Sequence, residues 1–298
     1  MLTIILVIIG VAIIYYGRAL TLAVIAHRVR PNLEALILGA VVNFFDALGI
    51  GSFATTTAWM KFRRLVPDRL IPPTMIAGLT PPVLAESVIF LILLGVLVDP
   101  ILLFGCAMAT MAGGLVGAPL VARARVWVVQ LLVAIGLILA ATAYGMTNLH
   151  LFPVGGTSTG LPPVQTSIAI IVSFGLGLLA NFGVGNFAPT LVILSLMGMD
   201  PRLCFPIMAT GGSLMGVGSG VRHIRMGQID LRIVLGLALG GIPAVIVAAL
   251  IVKSMPLELL RWMVLVVVVY AAIVLLRAAL SGRRDEKAQL AQTAVVAS

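Results

Sequence analysis

Charge is scarce in this sequence: Asp, Glu, Lys and Arg make up 10% of its 298 residues, against 61% hydrophobic. A water-soluble globule of that length needs far more charge to cover its surface, so a soluble fold is excluded. Cysteine is nearly absent. Cys106 and Cys204 both fall within apolar runs, where they read as small packing residues and imply no disulfide framework. His27, His150 and His223 are scattered, with no HExxH and no Cys/His spacing suited to a metal ion. There is no Walker A sequence, so direct drive by ATP has no site. A nucleophile elbow is missing as well, because Gly49-Ile50-Gly51-Ser52-Phe53 has the wrong order for G-x-S-x-G. The expectation is a protein that is not an enzyme and carries neither metal nor cofactor.

Apolar length is what the chain does have. Runs at 3–26, 35–58, 72–98, 101–121, 126–146, 164–196, 204–221, 231–252 and 257–277 are mostly near the roughly 20 residues that cross about 30 Å of hydrocarbon. The lipid bilayer is therefore the first partner, and the fold class is an all-α polytopic membrane protein. The N-terminal run has no basic leader and no clear cleavage site, so it reads as an uncleaved span. The net charge of +9 does not call for nucleic acid, since the basic residues sit in short connections between apolar runs, as in cytoplasmic loops.

Two runs are interrupted. NFFDALGIGSFATTT begins at Asn43 and NFGVGNFAPTL at Asn181. Each run could cross the membrane once or enter and return as a helical hairpin. With the C-terminal tail in the cytoplasm, two full crossings would put Lys61, Arg63, Arg64, Arg69, Arg123 and Arg125 outside, against the positive-inside rule. Two re-entrant hairpins instead gather those residues inside with Arg28, Arg30, Arg222, Arg225, Arg232 and the tail. Only Arg202, Lys253 and Arg261 then remain outside, and the N-terminus also lies outside. The hairpin reading follows from local charge for the second interruption; for the first it leans on symmetry.

The interruptions are also related to each other. At an offset of 134 residues Gly49-Ile50-Gly51-Ser52-Phe53-Ala54 falls on Gly183-Val184-Gly185-Asn186-Phe187-Ala188, Pro67 on Pro201 and Pro72 on Pro206. Each half then comprises one hairpin and three spans, an odd number of crossings, so the halves are inverted. The expected organisation is an N-terminal helix (1–30), a first repeat (31–148), an extracytoplasmic loop (149–163), a second repeat (164–280) and a cytoplasmic tail (281–298). Inverted repeats are the plan of secondary transporters that bind substrate at the midplane.

Non-helical backbone at membrane depth is tolerated where protein or a water-filled cavity satisfies it. Glycine permits the turn, and N–H groups at half-helix N-termini make a concavity suited to an anion. The expected substrate-binding set is Gly49, Gly51, Gly183 and Gly185 at the turns, with Ser52, Thr55, Thr56, Asn186 and Thr190 after them. Asn43 and Asn181 stand before the turns, and Ser213 lies in the small-residue seventh run. Close helix packing by small residues is the competing explanation.

GVGNFAPTL resembles the second-half turn of the sulfite exporter TauE/SafE family, and DALGIGSFATTT a variant of its first. The resemblance covers about 35–277. It implies a membrane transporter that exports sulfite or another small sulfur-containing anion, with proton or ion coupling. The turns here are not glycine runs, and the first lacks a proline where the second has Pro189.

Two carboxylates lie at membrane depth, where an ionisable residue is a functional candidate by default. Asp46 is next to the first turn and its repeat equivalent is Ala180; Glu86 follows Thr80-Pro81-Pro82 in mid-run. Either could carry a coupling proton. Asp46 reads equally as a cap on the following half-helix. A cation transporter using Asp46 and Glu86, or an anion channel, are the alternatives, and a homo-oligomer is left open. Direction and exact substrate are not written in the sequence.

Overall fold

Caps and prolines set the helix boundaries. Asn32 opens one helix by accepting the Ala35 N–H. Asp200 and Asp230 open two others, accepting N–H groups at Arg202 and at Arg232 and Ile233. Gly227, at φ 65°, closes the helix between them, a left-handed position that favours glycine. Prolines 100, 163 and 201 stand at helix starts, where a missing N–H costs nothing.

The computed structural model describes residues 2–48, 52–67, 70–117, 126–149, 156–180, 185–227 and 229–296. Their α-helices are α1 (Leu2–Ala26), α2 (Leu33–Ala47), α3 (Ser52–Arg63), α4 (Ile71–Leu93), α5 (Pro100–Gly117), α6 (Val126–Asn148), α7 (Pro163–Ala180), α8 (Phe187–Leu196), α9 (Pro201–Met226), α10 (Leu231–Ser254) and α11 (Leu257–Val296). No strand occurs among the described residues beyond a single bridge between Ser158 and Met199. Seven helices (α1, α4, α5, α7, α9, α10 and α11) are long and apolar enough to cross a membrane. This is a multi-pass membrane protein.

The interrupted runs each divide in two, the first into α2 and α3 and the second into α7 and α8. Arg63 at the end of α3 reaches Glu34 in the first turn of α2 at 2.7 Å. The chain thus comes back to the level at which α2 began. In the second pair Ser158, just before α7, accepts the Asp200 N–H and donates its own to Gly198 O, just after α8. The two closures join different neighbours. Near the first, Asn32 N–H donates to Arg232 O and Asp230 N–H to Thr74 Oγ1. Near the second, Asp99 N–H donates to Thr159 O, and Arg202 reaches Met255 O.

Helix pairing recurs across the halves: α2 packs on α10, α5 on α7, α4 on α9 and α6 on α11. Glycines allow the closest crossings. A Cβ on Gly39 would lie 2.5 Å from Leu237 O and one on Gly240 1.9 Å from Leu36 O. One on Gly113 would lie 1.9 Å from Phe174 O and one on Gly177 2.1 Å from Thr110 O. At the centre, α9 crosses α4, joined by the Phe90 and Phe205 rings and by a Ser87–Thr210 hydrogen bond of 3.2 Å. Both helices contain internal prolines: 81 and 82 in α4, 206 in α9. Pro81 frees the Ala77 carbonyl from its helical partner, and the Tyr16 hydroxyl of α1 donates to it at 2.6 Å.

The structure extends one element beyond the sequence reading. α11 runs on through the polar stretch after Leu280, which has no proline and many good helix formers.

Candidate functional site

The flanks of the two turns meet around one cavity. Its walls are Asp46 and Phe53 from the first turn, Ala180, Gly185, Asn186 and Phe187 from the second, Ile76, Leu79, Thr80 and Val83 from α4, and Gly212, Met215, Gly216 and Ser219 from α9. The volume is about 40 Å³, where roughly 10–15 Å³ of such space holds one water. A group of a few heavy atoms fits; a large organic substrate does not.

The two half-helices present themselves differently to this cavity. The N-terminus of α3 is occupied: Asp46 accepts the Ser52 N–H on Oδ1 and the Ser52 hydroxyl on Oδ2, both at 2.9 Å. This is a capping geometry, one of the two roles that the sequence allows Asp46. At the N-terminus of α8 the Asn186 side chain makes no cap, and none is supplied among the described residues. Ala180 stands where Asp46 would be and offers it no acceptor. Asn186 is buried and donates from Nδ2 to Met208 O at 3.3 Å, which leaves its second N–H. An added Cβ on Gly185 would meet nothing within 4 Å, so that side of the turn faces open space.

Of the residues singled out in the sequence, Asp46, Gly185 and Asn186 line the cavity. Ser52 lies behind Asp46 as its donor. The others are buried or turned elsewhere. Thr56 donates to Ser52 O at 2.7 Å and Ser213 to Thr210 O at 2.9 Å. Thr55 pairs with the Tyr270 hydroxyl of α11 at 3.0 Å. Thr190 is buried in α8 and sends its N–H to Asn186 O. Asn43 is buried one turn before Asp46, with Nδ2 on Gly39 O at 2.7 Å. Glu86 is also buried and does not line the cavity. Gly49, Gly51, Asn181 and Gly183 lie outside the described residues.

Sequence reasoning passed over Phe53, Phe187, Thr80 and Ser219 as site residues. Gly212, Met215, Gly216 and Ser219 recur every three to four residues on α9, the spacing of one helix face. That periodicity is the available signal; the sequence reading took Ser213 from this run as its site residue, and Ser213 lies off that face. Among the described residues no cluster of His, Cys, Asp and Glu could hold a metal ion.

No curated protein and no solved structure matches the chain. The resemblance carried by the GVGNFAPTL turn is shown for the second half: residues 166–298 match the model of the family Sulfite exporter TauE/SafE.

Proposed function

We propose that this protein is a secondary transporter that exports a small sulfur-containing anion, sulfite or an organosulfonate, across the cell (inner) membrane. The observation that carries this reading is the cavity between the turns, with the uncapped start of α8 and the Asn186 amide on its wall. Unsatisfied N–H groups at a helix start carry partial positive charge and favour an anion. The small volume suits a group the size of sulfite, and the family match over 166–298 favours sulfur chemistry.

The anion sits against α8, with Gly185 beside it and Asn186 donating its free N–H. Phe53 and Asp46 form the opposite wall. Asp46 stands there as a fixed negative charge, so the two halves of the site are unequal. Thr55, Thr56, Thr190 and Ser213 support the half-helices and do not touch the anion. Of the two carboxylates that could couple transport to protons, Asp46 and Glu86, Glu86 carries the proton and Asp46 stays charged beside it.

An inverted repeat supports alternating access, in which one half rocks against the other around a fixed site. Three observations favour it. Helices α2–α6 and α7–α11 follow the same order of one interrupted run, split into two helices, and three further helices. The pairing α2 with α10 is answered by α7 with α5, its counterpart under exchange of halves. The closures of the two short pairs join different sets of neighbours, as re-entrant hairpins entering from opposite faces require. In this arrangement Arg63, Arg225 and Arg232 face the cytoplasm with the C-terminus, and Arg202, Lys253 and Arg261 face outward with the N-terminus.

Counterflow in proteoliposomes tests the reading. Vesicles loaded with unlabelled sulfite should take up labelled sulfite in a saturable way, faster than empty vesicles. Sulfite flux that neither saturates nor responds to internal sulfite would make the protein a channel. Absence of anion flux with flux of sodium would make it a cation carrier.

A further inference from the structure

We propose that Glu86 and Asn43 together hold a proton at a second buried site, outside the anion cavity, and that Asp46 links the two. The proton site stands by itself; its coupling to the anion rests on the transporter reading above.

Glu86 is fully buried, and neither of its carboxyl oxygens has a hydrogen-bond partner among the described residues. Asn43 is fully buried too, and its Oδ1 is likewise without a partner. The bond from Asn43 Nδ2 to Gly39 O fixes which way the amide points. These groups share one region. A Cβ on Gly241 would lie 2.4 Å from Pro82 Cγ and 2.5 Å from Asn43 Nδ2, so α2 and α4 meet here over α10. Glu86 follows Pro82 by one turn on the same face of α4, and Asp46 follows Asn43 by one turn on α2. Asp46 is close enough to act on Glu86 electrostatically.

Three orphan acceptors and no donor make an unbalanced cluster. An ionised carboxylate so placed would be uncompensated, which is costly at full burial. A proton on Glu86 removes the charge and supplies the missing donor, whose acceptor is Asn43 Oδ1. The surroundings provide no counter-charge. On α9 no charged residue occurs between Arg202 and Arg222, on α10 none between Arg232 and Lys253, and on α3 none before Lys61. On α1 the Tyr16 hydroxyl is spent on Ala77 O and Arg18 is exposed. Asp46 on α2 is the charged group that faces Glu86, and it carries the same sign.

The two carboxylates therefore divide the work. Asp46 accepts two hydrogen bonds from Ser52 and keeps its charge on the cavity wall. Glu86 carries the proton one layer behind. An anion entering the cavity adds negative charge near both, so anion and proton bind together and do not compete.

Infrared spectra of the purified protein without any anion read the first part. The carbonyl stretch of an un-ionised carboxylic acid is expected in the wild type, absent from Glu86→Gln and moved to higher frequency in Asn43→Leu, which keeps the volume and removes the acceptor. A wild type without that band, or a band that survives Glu86→Gln, would overturn the site; a band unmoved in Asn43→Leu would overturn the pairing. Stabilisation by sodium in the wild type alone, with no acid band, would make it a metal-cation site and overturn the proton. At a pH alkaline enough to remove that band from the anion-free wild type, proton uptake from weakly buffered solution on adding sulfite reads the coupling, and it should be lost in Glu86→Gln. Uptake unchanged in that variant would overturn the coupling even where the infrared result holds.

Discussion

Asp46 and Ala180 stand at matching places in the two turns and give them different chemistry. With Asp46 present, α3 begins on a carboxylate that takes both the N–H and the hydroxyl of Ser52; with Ala180, α8 begins uncapped. Replacing Asp46 by Ala should cost about 0.5–2 kcal/mol, the usual loss for a cap, read as a lower melting temperature in detergent. Asp46→Asn keeps one acceptor and should lose less. Glu86→Gln should leave the fold intact and make sulfite counterflow insensitive to pH, whereas the wild type varies with pH; an unchanged pH profile would remove Glu86 from the coupling. Asp46 as a cap was legible from its position before a turn. The burial of Glu86 without partners was not, because it depends on which helices surround it.

At the scale of elements, glycine decides where helices touch. The sequence reading assigned glycine to the turns and to the seventh run, and Gly185, Gly212 and Gly216 line the cavity. Gly39, Gly113, Gly177 and Gly240 escaped it, since their importance lies in the partner backbone that each one meets. A small residue on one helix does not name the helix that will cross it. Gly240→Ala should force α10 off α2, because the atom it meets at 1.9 Å is a carbonyl and cannot rotate away. A loss of about 1–3 kcal/mol is expected for such overpacking. Gly136→Ala is the control: nothing lies within 4 Å of its Cβ, and its melting temperature should match the wild type or exceed it. Equal losses in the two variants would contradict the crossing argument. The division of the interrupted runs into α2 with α3 and α7 with α8 was legible, because glycine, asparagine and aspartate cluster where the helices stop. The continuation of α11 beyond Leu280 was not, since polarity signals solvent exposure and does not by itself end a helix.

Over the whole molecule, the arrangement of charge and the two closures predict a definite sidedness. On a background without Cys106 and Cys204, Asn32→Cys and Lys61→Cys should both react with a membrane-impermeant thiol reagent from the cytoplasmic face. Thr157→Cys and Lys253→Cys should react from the opposite face. Asn32 and Lys61 labelled from different faces would mean that the first pair crosses the membrane, and the inverted arrangement would fall. The proposed repeat rests on two glycine turns and two prolines that keep one offset over a long stretch. The unequal use of its halves required the structure, for it rests on one carboxylate filling the place that the other half leaves open. The central claim is that a small anion binds in that open place. Its most direct test is a thermal-shift series of small anions on the wild type, Asn186→Ala and Gly212→Val; a side chain at 212 would meet Asn186 and Phe187 and take up cavity space. Sulfite or a sulfonate should stabilise the wild type. Asn186→Ala should need about tenfold more anion, the weight of one lost hydrogen bond to a charged group, and Gly212→Val should not respond. Equal stabilisation of all three proteins would contradict the account and move the anion away from the paired turns.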